Sequence, residues 1–276
     1  MSVVSEVLAR ERQSYIAELV RERGAVRVSD LTAALDVSDM TVRRDLDQLA
    51  RLGVVDKVHG GATVPGRSST DEPGFERKFA RERAEKDAIA SLASTLVRPG
   101  YAVGLSAGTT TWTLAHRLRD VAGITVVTNS VQIAGVFYQQ PRGDQTVILT
   151  GGVRTPSDAL VGPVAVAALG SLNLDLVFLG VHGMDERTGF SSPNLLEAET
   201  SRALAHAGRR LAVVADHTKW GVVGLSTIVA IEDADAVVTD DGLHSGALES
   251  LRERVSDVLV ARVAQAPVSS AEGRSS

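Results

Sequence analysis

Seven short apolar runs between residues 101 and 261 alternate with stretches of helical periodicity. Chains that alternate strands and helices in this way fold into a largely parallel sheet with helices on both faces. We therefore predict an α/β domain over residues 75–264, in which ligands would bind at the carboxyl ends of the strands. The predicted strands are 101–105, 124–128, 146–150, 176–180, 211–215, 236–239 and 258–261.

Small and polar residues follow several of these runs, where they would meet at one edge of the sheet. The loop 106–111 leads into a helix, so its backbone N–H groups and the helix dipole would favour an anion such as phosphate. An ordinary helix start is an equally good interpretation of this loop alone. Lys219 would neutralise a phosphate, and Asp216 or Glu197 would hold sugar hydroxyls. The predicted effector-binding residues are Gly108, Thr109, Thr110, Thr111, Asn129, Ser130, Gly151, Gly152, Glu197, Asp216 and Lys219.

No sequence motif for a nucleotide cofactor or a metal accompanies these residues. The loop 106–111 lacks the spacing of a P-loop and that of a dinucleotide-binding Gly-x-Gly-x-x-Gly loop. We interpret His182 and Asp185 as structural, because no further ligands stand at metal-like spacing, and His116 as a surface residue. The absence of cysteine excludes disulfides, thiolate zinc sites and cysteine nucleophiles. We predict no cofactor, no metal and no catalytic residue.

Two short amphipathic helices follow each other closely near the N-terminus. Ser29 and Ser38 stand at N-cap positions nine residues apart. The segment between the helices leaves room only for a tight turn, into which Val37 would pack. This spacing predicts a helix-turn-helix over residues 26–45. A further helix over 8–23 would precede it, with an apolar face formed by Leu8, Tyr15, Ile16, Leu19 and Val20.

The last of these helices carries side chains that suit the major groove of DNA. If Val42, Leu46 and Leu49 face the core, the outer surface carries two arginines. Arginine binds guanine bidentately, glutamine binds adenine, and threonine reaches phosphate or a thymine methyl group. Paired arginines alone are also typical of a solvated helix face. A Gly-Gly hairpin over 53–64 would form an adjacent wing. The predicted DNA-binding residues are Ser38, Thr41, Arg43, Arg44, Gln48, Lys57 and His59.

Composition and breaker residues indicate the remaining organisation. Residues 1–64 would form the DNA-binding domain, 65–74 a linker and 265–276 a disordered tail. A charged helix over 75–97 would open the α/β domain. Because the net charge is −5, DNA contacts must depend on the local placement of arginines. The chain begins without a signal-peptide pattern and has no apolar run of membrane-spanning length, so we expect a cytoplasmic protein.

The segment 26–62 resembles the N-terminal signature of the DeoR family of bacterial transcriptional regulators. It contains Val-Ser-x-x-Thr-Val-Arg-Arg-Asp-Leu and ends in His-Gly-Gly-Ala. The stretches SAGTTT, VTNS, LTGG, DLVFLGVHG and ADHTKWG, with the region of Glu197 to Glu199, extend the resemblance over most of residues 8–262. The resemblance implies a winged helix-turn-helix that binds operator DNA through Thr41, Arg43 and Arg44. It also implies a sensor domain similar in fold to ribose-5-phosphate isomerase.

In the family this chain resembles, the loop 106–111 would hold the phosphate of an effector, with help from Lys219. One departure is Ser106, where the family often has aspartate, and this departure weakens the case for catalysis. We favour a ligand-responsive regulator, most often a repressor in this family, that binds double-stranded operator DNA and a phosphorylated sugar as a dimer or tetramer. Two alternatives stay open. One is a sugar-phosphate isomerase with Asp216, Glu197 or Glu199 as its base, and the other is a constitutive oligomerisation platform with an empty pocket.

Overall fold

The computed structural model describes residues 3–23, 25–58, 61–63, 79, 81–139 and 141–263. These residues divide between two compact units. The predicted linker 65–74 and tail 265–276 lie outside the described residues. The first unit comprises Met1–Pro73, Val181–Arg202 and Thr218–Ile231, and the second comprises Gly74–Gly180, Ala203–His217 and Glu232–Ser276.

A helix-turn-helix with an antiparallel wing forms the N-terminal part of the first unit. Its elements are α1 (Val3–Arg23), β1 (Ala25–Arg27), α2 (Val28–Leu35), α3 (Asp39–Arg51), β2 (Asp56–Val58) and β3 (Gly61–Thr63). The strands pair in the order β1-β3-β2, so that β3 is antiparallel to both of its neighbours. The sequence predicts the β2–β3 hairpin around its Gly-Gly pair but not β1, because a three-residue strand without such a hairpin signal shows no alternation.

Apolar side chains from all three helices close one core in this domain. Ile16 of α1, Leu31 of α2 and Leu46 of α3 are buried in the same cluster. Val37 packs against this cluster from the turn between α2 and α3, as predicted. The predicted inward face of α3 is also confirmed, because Val42 and Leu49 are buried beside Leu46.

Two details of these helices differ from the prediction. Tyr15 does not belong to the buried face of α1, because its side chain is 45% exposed. Gln13 is buried instead, since it forms a hydrogen bond with a buried carboxylate of α3. Ser29 lies inside α2 and not at its N-cap position, because β1 ends at Arg27 and the helix begins at the next residue, Val28.

A seven-stranded parallel sheet forms the centre of the second unit. Its strands are β4 (Ala102–Leu105), β5 (Thr125–Thr128), β6 (Thr146–Leu149), β9 (Leu176–Gly180), β12 (Leu211–Val214), β14 (Ala236–Asp240) and β15 (Asp257–Ala261). Their order is β15-β14-β12-β9-β4-β5-β6, and every neighbouring pair is parallel. All seven predicted strands are confirmed to within one residue at either end.

Helices and one short hairpin surround this sheet in the second unit. The remaining elements are α4 (Arg83–Ser94), α5 (Thr109–Leu118), α6 (Val131–Gln139), β7 (Val153–Arg154), β8 (Leu160–Val161), α7 (Pro163–Leu169) and α9 (Ser245–Arg254), and α8 (Leu195–Ala207) contributes residues to both units. Ile89 of α4, Leu114 of α5 and Ile133 of α6 belong to the same buried cluster as the central strands. This burial on both faces explains why β9 and β12 are continuous apolar runs.

A small antiparallel sheet lies in the first unit and was not predicted. It consists of β10 (Gly183–Asp185), β11 (Gly189–Ser192) and β13 (Ser226–Val229), with β11 in the middle. These strands mix glycine and polar residues with apolar ones, so they do not form the continuous apolar runs that revealed the central strands. Of the predicted helix over 75–97, α4 covers Arg83–Ser94, and residues 75–78 and 80 lie outside the described residues. Within the described ranges, no helix is both long enough and apolar enough to cross a membrane.

Candidate functional site

Helix α3 begins at a side-chain cap. Ser38 has extended backbone angles, and its hydroxyl oxygen accepts a hydrogen bond of 3.3 Å from the backbone N–H of Thr41. The two hydroxyl oxygens are also 2.9 Å apart and share a hydrogen bond. Ser38 therefore acts as the predicted cap, and it fixes Thr41 on the first turn of the helix.

The inner face of α3 is held to α1 by a buried carboxylate. Asp45 accepts hydrogen bonds from Arg12 Nε at 2.5 Å and from Gln13 Nε2 at 2.9 Å. Gln13 Nε2 also donates to the side-chain oxygen of Gln48 at 3.1 Å. Gln48, a predicted reader of DNA, is therefore engaged within the domain, while its contact with DNA stays a prediction.

The outer face of α3 carries the two arginines, as predicted. Arg43 Nε donates to Asp39 at 2.5 Å, one helical turn earlier. This hydrogen bond, together with the negative charge of Asp39, raises the pKa of Arg43 above its ordinary value. Arg44 is exposed on the same face. Around the helix axis, Met40 lies between the two arginines, and its side chain is 74% exposed. Met40 was not predicted as a functional residue, although its spacing from the buried positions places it on the outer face.

Of the two predicted DNA contacts on the wing, the described residues include one. Lys57 lies on β2, where its backbone pairs with Ala62 of β3. His59, the other predicted contact of the wing, lies outside the described residues. The DNA-binding roles of both residues stay predictions.

In the second unit, the loop after β4 leads into the N-terminus of α5. Gly108 is the N-cap residue, so no side chain caps this helix. Thr109, Thr110 and Thr111 are all buried, but Thr111 uses its hydroxyl within the turn by donating to the carbonyl of Gly108 at 3.0 Å. Uncapped N–H groups at a helix N-terminus favour an anion.

Ser106 connects two neighbouring strands at this point. Its backbone N–H donates to the carbonyl of Phe178 at 3.1 Å. Its buried hydroxyl oxygen accepts a hydrogen bond of 2.9 Å from the backbone N–H of Gly180, the last residue of β9. Ser106 therefore holds the ends of β4 and β9 together. It is also the position at which the family that this chain resembles often has aspartate.

The end of β5 supplies two predicted effector residues that also support the local backbone. Asn129 accepts a hydrogen bond from the N–H of Ala107 at 2.8 Å and donates to the carbonyl of Leu160 at 3.1 Å. The hydroxyl of Ser130 accepts from the N–H of Ile133 in the first turn of α6. These bonds bring the loops after β4 and β5 together at one sheet edge, as predicted from the strand ends.

Backbone conformation explains why two glycines follow β6. Gly151 and Gly152 have φ angles of 74° and 122°, a region that favours glycine. A Cβ atom on Gly152 would lie 2.5 Å from the carbonyl oxygen of Val161 in β8. The close approach of β8 therefore requires glycine here, and an effector contact at either residue stays a prediction.

Asp216 is fully buried after β12, beside a charged cluster that was not predicted from the sequence. His217 Nδ1 is 2.6 Å from a carboxylate oxygen of Asp240, whose other oxygen accepts the backbone N–H of His217 at 2.7 Å. Asp240 is the last residue of β14. Because β12 and β14 are parallel neighbours, their carboxyl ends bring these residues together.

Charge and burial shift the pKa values of this cluster. The hydrogen bond to Asp240 raises the pKa of His217, against the effect of burial, and the charges of Asp240, Asp216 and Glu82 add to the increase. Burial favours protonated Asp240, but the hydrogen bond and charge of His217, with backbone N–H groups, hold its pKa below the ordinary value. Glu82 has a raised pKa because of burial and then of the charges of Glu85 and Asp216. Glu82 also has a left-handed backbone conformation, with a φ of 48°.

A separate cavity of about 690 Å³ lies between α4 and α5 in the second unit. His116 lines it and is half-buried, so its interpretation as a surface residue is wrong. Its ring packs edge-on against Trp112 with centroids 4.3 Å apart. Burial, followed by the charge of Arg119, lowers the pKa of His116. The cavity is lined by Phe79, Arg83, Ala84, Lys86, Asp87, Trp112, Thr113, His116, Arg117 and Asp120.

Two family models together match most of the chain. The DeoR-like helix-turn-helix domain matches residues 12–68, and the DeoR C terminal sensor domain matches residues 81–241. The chain belongs to the DeoR family. As a DeoR-family protein it is a transcriptional regulator with an N-terminal DNA-binding domain and a C-terminal sensor domain, as the sequence resemblance predicts.

Named relatives of this DeoR-family protein include two from Escherichia coli (strain K12). The chain is 38% identical to the uncharacterized HTH-type transcriptional regulator YgbI, over 91% of this chain and 98% of the relative. It is 31% identical to the glycerol-3-phosphate regulon repressor, over 83% of this chain and 90% of the relative. A solved D-ribose-5-phosphate isomerase in complex with phospho-erythronic acid aligns with 50% of this chain and 54% of its own, at 15% identity and a TM-score of 0.37.

Two predicted effector residues of this DeoR-family chain lie in the first unit, not in the second. Glu197 is on the first turn of α8, where its backbone N–H donates to the side-chain oxygen of Asn194 at 3.2 Å. Lys219 ends a short 3-10 turn, and its carbonyl accepts the N–H of Val222 at 3.3 Å. Contact of either side chain with an effector stays a prediction.

Also in the first unit, Asp185 has a structural role, in agreement with the prediction. One of its carboxylate oxygens accepts hydrogen bonds from the backbone N–H groups of Arg187 and Thr188 and from the Thr188 hydroxyl. Asp185 thereby closes the turn between β10 and β11. The backbone N–H of His182 donates to the carbonyl of Ser191 on β11.

Proposed function

We propose that this DeoR-family regulator is a repressor of carbohydrate-metabolism genes that binds its operator through α3 and is released or retained by a phosphorylated sugar. The observation that carries the proposal is the outward face of α3, hereafter the recognition helix. Its side-chain cap, its two outward arginines and its attachment to α1 suit insertion into the major groove. The glycerol-3-phosphate regulon repressor among the relatives supports both the sign of regulation and a phosphorylated effector.

DNA binding is tested by fluorescence anisotropy with duplexes from the gene's own upstream region, as a salt series. Arg43→Ala and Arg44→Ala, singly and together, should weaken binding and reduce its salt dependence, because each arginine lost removes a contact with a base or a phosphate. Arg51→Ala, an exposed arginine in the last turn of the same helix, is the matched control and should change binding little. Absence of specific binding by the unaltered protein would contradict the proposal.

The effector site proposed here lies at the N-terminus of α5. A phosphate would accept hydrogen bonds from the uncapped N–H groups that follow Gly108, in favourable alignment with the helix dipole. The buried hydroxyls of Thr109 and Thr110 lie on the same turn. Gly151, Gly152, Asn129, Ser130 and Asp216, all in the second unit, complete the proposed site.

Thermal unfolding against a panel of sugar phosphates and their unphosphorylated sugars tests this site. A ligand that prefers the folded state must raise the melting temperature, and the phosphate should be required. Thr110→Val should reduce the increase, whereas Thr113→Val, whose hydroxyl donates to the carbonyl of Thr109 within the helix, should not. No increase with any ligand would favour the alternative of an oligomerisation platform with an empty pocket.

An oligomer is part of the proposal, because operators generally mirror the symmetry of the proteins that bind them. The edge strand β6 is the candidate surface: its residues Thr146–Leu149 are uncharged, and Ile148 and Leu149 stay about 38% and 39% exposed. Edge strands without charges or proline tend to pair with another strand. In light scattering, Ile148→Lys should lower the molecular mass, whereas Val131→Lys on α6 should not.

The isomerase alternative requires a base near the sugar carbons, with Asp216, Glu197 and Glu199 as candidates. We propose that the protein is not an enzyme, because its relatives are named as transcriptional regulators and because the hydroxyl at Ser106 is engaged by Gly180. Turnover assays with pentose and hexose phosphates decide between the two, since a sensor binds such ligands without converting them. We also propose that the protein works in the cytoplasm, where its operator lies.

A further inference from the structure

Met40 stands at the centre of the outward face of the recognition helix. It is the second residue after the cap Ser38, within the first turn of α3. At about 100° per residue, its direction is roughly opposite to the mean direction of the buried residues of that helix. Its 74% exposure is the largest among the exposed large apolar side chains that the structure describes.

Exposed apolar residues are common on protein surfaces, so exposure alone assigns no role. The surroundings of Met40 are more specific. Arg43 and Arg44 follow three and four residues later, so they lie on either side of it on the same helix face. Arg43 is held by Asp39, which leaves its guanidinium in a defined place. Two arginines on either side of an apolar side chain at the start of a recognition helix suit a groove that is bordered by phosphates.

The chemistry of methionine limits what it can recognise there. Its thioether side chain donates no hydrogen bond and accepts only weakly, so it would leave the polar edge of guanine, adenine or cytosine without a partner. The major groove presents one distinctive apolar group, the C5-methyl of thymine. A flexible, polarisable side chain packs well against such a group.

We propose that Met40 reads a thymine in each half of the operator through its C5-methyl group. The inference rests on the proposed DNA-reading role of α3 and adds a sequence preference to it. Arg43 and Arg44 would then supply the charged contacts, and Met40 the apolar contact that places one thymine in the preferred sequence.

The test begins with selection of duplexes from a random pool by the full-length protein. Each thymine of the enriched sequence is then replaced by deoxyuridine, which removes only the methyl group. The unaltered protein should lose roughly fourfold in affinity per half-site at one position, the effect expected for one methyl-sized apolar group. Met40→Ala should bind more weakly and should no longer distinguish thymine from uracil at that position.

Leu52→Ala is the matched control, because Leu52 is 68% exposed at the opposite end of the same helix, and this variant should keep the penalty for uracil. Met40→Leu, which retains an apolar contact, should keep it as well. An enriched sequence at which uracil has no effect, or a penalty unchanged in Met40→Ala, would overturn the role of Met40 alone. Failure to enrich any sequence would overturn the proposed operator binding, and the inference with it.

Discussion

Asp45 of the recognition helix accepts a 2.5 Å hydrogen bond from Nε of Arg12, which lies 33 residues earlier on α1. Asp45 is almost fully buried, and it accepts a second bond from Gln13. The carboxylate thereby ties the orientation of the recognition helix to α1. Its own side chain is buried on the inner face of the helix, so we expect it to act by positioning.

We expect Asp45→Ala to loosen the helix-turn-helix, because it leaves the donors of Arg12 and Gln13 without their buried acceptor, at a cost of about 2 kcal/mol. Hydrogen exchange in α1 and α3 should accelerate by roughly 30-fold, if exchange there follows opening of the domain, and operator affinity should fall. Asp47→Ala, an exposed aspartate on the same helix, is the control. Equal exchange in the two variants would contradict the positioning role.

The ion pair between Asp39 and Arg43 should moderate DNA binding. Asp39→Asn removes a negative charge from the face that we propose binds DNA and leaves Arg43 without this ion pair. We expect affinity at low salt to increase only about threefold, because exposed ion pairs are weak. The gain should disappear at high salt because of screening. Asp36→Asn, an exposed residue of the turn before α3, should not reproduce it in the same salt series.

The pair of His217 and Asp240 should give the second unit a pH-dependent stability. The raised pKa of His217 stabilises the fold fully below its ordinary value near 6.5, and this contribution is lost as pH rises through the raised value. The lowered pKa of Asp240 contributes above about pH 4 and is lost at lower pH. The pair therefore stabilises most between about pH 4 and 6.5.

His217→Asn should remove this contribution, roughly 1–2 kcal/mol once the value for a hydrogen bond to a charged group is discounted for the partial exposure of His217. The difference in free energy of unfolding from the unaltered protein should be largest near pH 6 and should shrink toward pH 9. Urea unfolding across this range measures it. Because Glu82 also acts on His217, the series is repeated in the Glu82→Gln background. A difference that is constant with pH would refute the titration of His217.

Gly152→Ala should destabilise the second unit by about 2 kcal/mol or more, because alanine cannot adopt this backbone without strain. The φ of 122° disfavours any side chain, and the new Cβ would meet the carbonyl oxygen of Val161 at 2.5 Å. Gly143→Ala is the control, since nothing lies within 4 Å of where its Cβ would stand and its φ is not positive. Thermal unfolding of both variants without ligand distinguishes a backbone requirement from an effector contact, which would leave stability without ligand unchanged.

Local sequence patterns were sufficient to predict the helices and strands that are buried along most of their length. Val42, Leu46 and Leu49 recur at helical spacing and are all buried, and the seven apolar runs became the seven strands of the parallel sheet. Burial explains both results, because a helix buried on one face repeats apolar residues at the helical period and a strand buried on both faces is a continuous apolar run. The short strands of the small sheet show neither pattern, and they were missed.

By itself the sequence determined the two-domain class, the cap at Ser38 and the position of the polar loops at strand ends, since each depends on residues near one another in the chain. The tertiary structure decided which distant side chains meet: Gln13 replaces Tyr15 inside because of a carboxylate 32 residues away, and Ser106 binds Gly180 across 74 residues. Such contacts follow from strand order and helix packing, and local periodicity encodes neither.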